Sequence, residues 1–171
     1  MKAYYVIGDI AKIKNLEYYN PQAFNSITHC CNASNAYNSG LAKQLREVYP
    51  KAYQEYSRLC HLHTDDKSKL LGMLQVVTVD ENLAVCNLFG QLNFGREKRQ
   101  LDYDALYRGL EYQANHAKQN PNLEFYYPFK MGCDRAGGNL SIVESMINAL
   151  FESLTNKVYI VVLNDTQQAF N

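Results

Sequence analysis

The chain has 171 residues, 47% of them hydrophobic, with 17 basic and 17 acidic side chains. That length suits a single domain over residues 1–171 with a sizeable buried core. A net charge near zero excludes steering onto nucleic acid or an anionic membrane by a global field, though backbone N–H groups can still hold a small anion.

The N-terminus, "MKAYYVIGDI", reads as a strand over 3–8 followed by an acid. It lacks the apolar region and small-residue cleavage site of a signal peptide. No apolar run approaches the roughly 20 residues of a membrane span. Further short runs rich in Val, Ile, Tyr and Phe predict strands at 26–31, 72–79, 83–90, 123–129 and 158–163. The polar "DEN" between 79 and 83 predicts a hairpin. Helical periodicity covers 39–57, broken at Pro50, then 102–118 behind Asp102 as N-cap, then 140–154. Ser141 and Glu144 are spaced as a capping box. Strands alternating with helices predict an α/β layered fold, and the hairpin predicts a mixed sheet.

Ligands of such sheets bind beyond the carboxyl ends of the strands. Five loops fall there: "GDI" (8–10), "CNASNAYNSG" (31–40), "GQLNFGREKRQ" (90–100), "MGCDRAGGN" (131–139) and "NDT" (164–166). Gly, Asn, Ser and Asp in such loops expose backbone N–H groups and short polar side chains, which suit phosphate and ribose.

These loops, in this order and spacing, resemble the macro domain family, from about residue 2 to 164. The likeness is greatest to the branch with ADP-ribose 1''-phosphate phosphatases and glycohydrolases of ADP-ribosylated protein. The resemblance implies a three-layer α/β/α sandwich with a mixed central sheet and ADP-ribose or a derivative as ligand. It implies that Asp9 hydrogen-bonds the adenine amino group, with Ile10 packed by the base. It puts Asn32 at the distal ribose, and Asn38, Ser39, Gly40 and Leu41 along the distal ribose and diphosphate. Phe89 and Gln91 match the strand end beside the distal ribose. Gly132, Cys133, Asp134, Arg135, Ala136, Gly137 and Gly138 match the phosphate loop, and Asn164 a polar residue near the adenine.

The chain also departs from the family. Relatives carry "GCGLAGGDW" where this chain has "GCDRAGGNL", so an acid becomes Asn139 and a tryptophan Leu140. One branch uses a lysine nucleophile where Gln91 stands, and Gln91 cannot form a Schiff base. That branch's catalytic aspartate falls near Ala136.

Other signals are weaker. "CHLHTDDK" (60–67) crowds metal-ligand types without a second cluster, so no metal is expected. His29 and Cys30 point to opposite faces of a strand, and His29 reads as a satisfied histidine or the floor of the site. The C-x5-R spacing of cysteine phosphatases is absent around Cys133. "GREKR" (95–99) reads as a solvated basic turn. Five cysteines without framework spacing predict a reduced, cytoplasmic chain.

Two functions follow. One is a hydrolase acting at the distal ribose, on a terminal phosphate, an acetyl ester or protein-linked ADP-ribose. Asp134 would be its general base and Asn32 its second catalytic residue. The other is a non-catalytic reader or sequestering module for the same nucleotides. Neither needs a cofactor. The expected partners are the nucleotide and ADP-ribosylated protein, not membrane or nucleic acid. In both, "MGCDRAGGN" cradles the diphosphate, the following helix lends its dipole, and Arg135 contacts a phosphate or a distal-ribose substituent. Asp134 is expected either to pair with a neighbouring cation and point away, or to face the ribose.

Overall fold

The computed structural model describes residues 2–163. Six strands form one sheet: β1 (Tyr4–Ile7), β2 (Phe24–Asn32), β3 (Leu74–Asp80), β4 (Leu83–Gln91), β5 (Leu123–Pro128) and β6 (Val158–Val162), in the order β1-β6-β5-β2-β4-β3. Every neighbouring pair is parallel except the β3–β4 hairpin. The sheet is therefore mixed, as the short polar turn predicts.

Helices cover both faces. On one, α3 (Tyr103–Gln119) and α4 (Leu140–Phe151) press Leu106, Leu110, Val143, Ile147 and Phe151 onto Leu88, Phe125, Tyr127 and Ile160. On the other, α1 (Gly40–Val48) and α2 (Pro50–Leu62) bring Leu45 and Ala52 to Ile27, Val85, Tyr126 and Val161. Phe125 and Tyr127 face one layer and Tyr126 the other, as the two-residue period of a strand requires. Cover on both sides explains why β4 and β6 are buried at every position. No helix among the described residues is long and apolar enough to cross a membrane.

Helix boundaries follow local chemistry. Tyr49 leaves the helical region and Pro50 opens α2 at a position that needs no N–H. Asp102 caps α3, its Oδ1 accepting from Ala105 N at 3.0 Å. The capping box at Ser141 and Glu144 does not form. Asn139 takes the cap, accepting from Ile142 N at 3.2 Å, so α4 starts at Leu140 and Ser141 lies inside its first turn. Short 3-10 turns at Ile10–Asn15 and Lys67–Leu70 have no counterpart in the expected elements.

Candidate functional site

A cleft of about 520 Å³ opens beyond the carboxyl ends of β1, β2, β4, β5 and β6. Its size suits a nucleotide. Four of the five predicted loops meet there. Asp9 and Ile10 line one end, after β1, with Leu163 after β6 beside them. Asn32, Ser39, Gly40 and Leu41 line the wall from β2 to α1. Gln91 lines the far end, and Gly132, Asp134, Arg135 and Ala136 the wall after β5. Asn164 lies outside the described residues.

Asp9 caps the first 3-10 turn, its Oδ1 accepting from Ala11 N at 3.0 Å. It is half-buried and still lines the cleft, and the cap uses only one of its two carboxylate oxygens. Asn32 is more committed. Its Oδ1 accepts from Ser34 N (3.0 Å), Ala36 N (3.1 Å) and Tyr56 Oη (3.0 Å), and its Nδ2 donates to Ala36 O at 2.8 Å. Asn32 therefore holds its own loop and has one amide proton left for a ligand, which makes it a positioning residue before anything else.

The end of α1 is open. Ser39 makes no side-chain cap, Gly40 sits at φ +57°, and the amides of Gly40, Leu41 and Ala42 find no acceptor among the described residues. These groups line the cleft and concentrate the positive end of the helix dipole there.

The segment after β5 is tightly wound. Lys130, Gly132 and Gly137 have φ of +63°, +74° and +76°. Gly138 N donates to Gly132 O at 2.9 Å and Cys133 N to Lys130 O at 2.8 Å, closing the turn. The amides of Gly132, Asp134, Arg135 and Ala136 have no acceptor among the described residues. Ala136 O accepts from both Gln100 N (2.8 Å) and Leu101 N (3.1 Å), which ties this loop to the one after β4. The expectation that α4 lends its dipole fails: Asn139 caps that helix and its first turn does not line the cleft. The helix that faces the cleft is α1.

Five expected residues are not in the lining. Phe89 is fully buried, two residues short of the strand end, with its ring stacked on Tyr56 at 5.6 Å. Asn38 points outward and accepts from Arg46 Nη1 at 2.8 Å. Cys133 turns its thiol to Met131 O at 3.4 Å. Gly137 and Gly138 shape the loop without lining the cleft. Asp134 does line it, exposed and without an ion pair among the described residues, so it does not serve as a structural acid.

The floor is a buried polar knot. His29 Nε2 lies 2.7 Å from Asn87 Oδ1 and 2.9 Å from Tyr37 Oη, and Cys31 Sγ lies 3.4 Å from the same nitrogen. Burial lowers the His29 pKa to about 4, so the ring is neutral. A neutral ring donating from Nε2 to Asn87 Oδ1 accounts for the shortest of these contacts. Burial pushes the Cys30 thiol up to about 12 and Cys133 to about 11, which leaves neither with the thiolate a nucleophile needs. His61 and His63 are spent on the carbonyls of Ser57 and Leu59, at 2.8 and 2.9 Å. No group of three or more metal-ligating side chains converges among the described residues.

The basic turn is more than a solvated loop. Phe94, Gly95 and Arg96 line the cleft, and Arg99 lies over the Tyr103 ring at 4.5 Å. Lys130 also lines it. The density of Gly and basic residues in "GQLNFGREKRQ" was the signal for this wall, but only the tertiary arrangement turns it toward the ligand space.

No protein-family model matches the chain. An ADP-ribose 1''-phosphate phosphatase of Saccharomyces cerevisiae is 32% identical over 108 residues, 60% of this chain and 55% of that protein. Proteins of the same name from Debaryomyces hansenii and Candida albicans are 38% identical over 50 residues and 33% over 64, covering 29% and 37% of this chain and 28% and 38% of theirs. The chain thus spans about half or less of the length of the curated relatives it matches. Among solved structures, a macrodomain protein of Streptomyces coelicolor aligns with a TM-score of 0.73 and 21% identity, over 94% of this chain and 98% of that one. The DarTG structure of Thermosipho africanus, in complex with ADP-ribose, aligns with a TM-score of 0.66 and 15% identity over 95% of this chain and 44% of that one.

Proposed function

We propose that this chain, a macrodomain in its fold, binds ADP-ribose or a derivative in the cleft and hydrolyses a group carried on the distal ribose. One observation carries the proposal. Two sets of amides without an acceptor among the described residues, those of Gly40, Leu41 and Ala42 and those of Gly132, Asp134, Arg135 and Ala136, line a single cleft that has a carboxylate, Asp9, at one end. Backbone amides facing one space are a diphosphate site that needs no net charge on the protein. On this reading Asp9 accepts from the adenine amino group and Ile10 packs beside the base, which their place in the cleft lining supports.

In the hydrolytic step a water oxygen bonds to the group carried on the distal ribose as the bond that joins this group to the sugar breaks, and Asp134 accepts the proton that water gives up and returns it to the leaving atom. Asn32 holds the loop that faces the ribose and offers its remaining amide proton. The substrates are small nucleotides or ADP-ribosylated protein. Five cysteines, all free thiols, suit a reducing compartment, and we place the protein in the cytoplasm.

A second reading has its own support: Gln91 stands where a nucleophilic lysine would act, and Asn139 is spent as a helix cap. On that reading the chain is a binder without turnover. Calorimetry with ADP-ribose and AMP tests the cleft, with ADP-ribose expected to bind far tighter. Incubation with ADP-ribose 1''-phosphate and with ADP-ribosylated protein then separates enzyme from binder. Asp134→Asn should lower turnover by roughly 10²–10⁴-fold with affinity unchanged or improved. Unaltered turnover would remove Asp134 from the mechanism.

A further inference from the structure

Glu124 carries a buried carboxylate that the cleft does not use. Asn25 is the second residue of β2 and Glu124 the second of β5, so both lie at the amino-terminal ends of the strands, away from the cleft. The two are partners in the parallel β2–β5 register, and Tyr126 follows Glu124 by two positions. All three side chains therefore stand on one face of the sheet, the face that α1 and α2 cover. None of the three lines the cleft. Asn25 and Tyr126 are fully buried, and Glu124 keeps 8% of its surface.

Five buried side-chain oxygens lack a hydrogen-bond partner among the described residues, and three of them belong to this trio: Asn25 Oδ1, Glu124 Oε1 and Tyr126 Oη. The rest of each group sets its direction. Asn25 Nδ2 donates to Asn20 O at 3.0 Å and to Ala23 O at 3.2 Å, which turns Oδ1 the other way. Asn20 Nδ2 donates to Glu124 Oε2 at 3.2 Å and leaves Oε1. The Tyr126 ring packs on Tyr159 at 4.8 Å. Burial raises the pKa of both phenols and the Glu124 charge adds to it, which makes the carboxylate their neighbour. Tyr126 can donate one hydrogen bond, but that would still leave an acceptor over and the charge unmatched. No Lys, Arg or His pairs with Glu124 among the described residues.

A buried charge without a counter-charge is costly, and proteins pair it or place it on a metal ion. This set is all hard oxygen, which suits alkali and alkaline-earth ions rather than zinc or copper. One carboxylate balances one positive charge. We infer that Asn25, Glu124 and Tyr126 hold a monovalent alkali cation, sodium or potassium, between β2 and β5. The ion neutralises Glu124. Through Asn20 it also steadies the segment 16–23, which joins the turn behind Asp9 to β2 and is otherwise held by Tyr19 N on Leu16 O and Ala23 N on Asn20 O. The site is independent of the ADP-ribose reading of the cleft.

The test is thermal unfolding of the intact chain at constant ionic strength, with tetramethylammonium chloride replaced stepwise by sodium or potassium chloride. Tetramethylammonium screens surface charge equally but is too large to enter. The midpoint should rise with the small cation by about 2–4 °C and level off, and sodium and potassium should differ in the concentration that gives half the effect. Glu124→Gln keeps the shape and removes the charge, so it should melt at the same temperature in all three salts. Tyr126→Phe removes one oxygen and should raise the half-effect concentration several-fold. Should Glu124→Gln not fold, Tyr126→Phe and crystals soaked in thallium(I) decide, the anomalous peak being expected among the three oxygens. A wild-type midpoint that is the same in all three salts overturns the inference and leaves a buried water, or a protonated Glu124, in that place. An equal rise in the wild type and in Glu124→Gln overturns it too, as does a thallium peak only elsewhere.

Discussion

Gly138 donates its backbone N–H to the carbonyl of Gly132 at 2.9 Å, and a methyl group on Gly138 would fall 2.6 Å from that same oxygen. It would also come within 2.4 Å of Leu101 Cδ2, a side chain buried in the core. The closure of the loop therefore depends on the bare backbone at 138. Gly138→Ala should cost about 1–3 kcal/mol in stability, as overpacking does, and should weaken ADP-ribose binding because the amides of 134–136 lose their frame. A chemical denaturation curve and calorimetry check both. An unchanged midpoint would mean the loop adjusts freely.

Asp9 is expected to have two separable roles. Asp9→Ala removes the cap on Ala11 N, at about 1 kcal/mol, and the contact with the base, at about 1.5–3 kcal/mol of binding. Asp9→Asn keeps a cap oxygen but not the charge. It should leave the melting temperature near the wild-type value and still weaken ADP-ribose. If Asp9→Asn binds as well as the wild type, the carboxylate plays no part in base recognition.

For Asn32, the geometry predicts damage to the fold as well as to function. Asn32→Ala leaves the amides of Ser34 and Ala36 without their acceptor and Tyr56 with only the backbone carbonyl, at 2.8 Å. The expected loss is about 1–3 kcal/mol. A variant that is inactive yet fully stable would instead make Asn32 a substrate contact alone.

Acid should weaken the fold through His29. Its folded pKa of about 4 lies below the ordinary 6.5, because burial disfavours the charged ring. Between those values the unfolded chain takes up a proton that the folded chain refuses. The stability is therefore complete above pH 6.5 and declines as pH falls toward 4, by about 3 kcal/mol in all. Urea unfolding of the wild type and His29→Gln at pH 7, 5.5 and 4.5 measures this. Parallel slopes for the two proteins would show that His29 is not the titrating group.

The strands were legible because β-branched and aromatic runs of strand length stand between turn residues, and "VYIVVL" and "LAVCNLFG" read directly as buried strands. The break at Pro50 and the cap at Asp102 were legible because each rests on a single residue's chemistry. The site was legible as a set of loops, since strand ends collect Gly, Asn and Asp. Its working parts were not. Nothing local distinguishes α1, whose first amides are open, from α4, whose first turn Asn139 closes. Phe89 and Gln91 differ by two positions, yet one is in the core and the other in the cleft, and only the length of β4 decides between them. Arg96 lines the cleft on a loop whose residues 100 and 101 bond to residue 136, a relation no short window contains.

The carbonyl of Ala136 serves two amides of another loop at once, and that makes it a mechanical joint. The wall that carries Asp134 and Arg135 cannot swing outward without pulling Gln100 and Leu101 with it, or breaking both bonds. The two walls are thereby tied together at this end of the cleft, and the stretch between Phe94 and Arg99 lies outside that tie. Insertions in that outer stretch would change what the protein accepts while leaving the cradle beneath it intact.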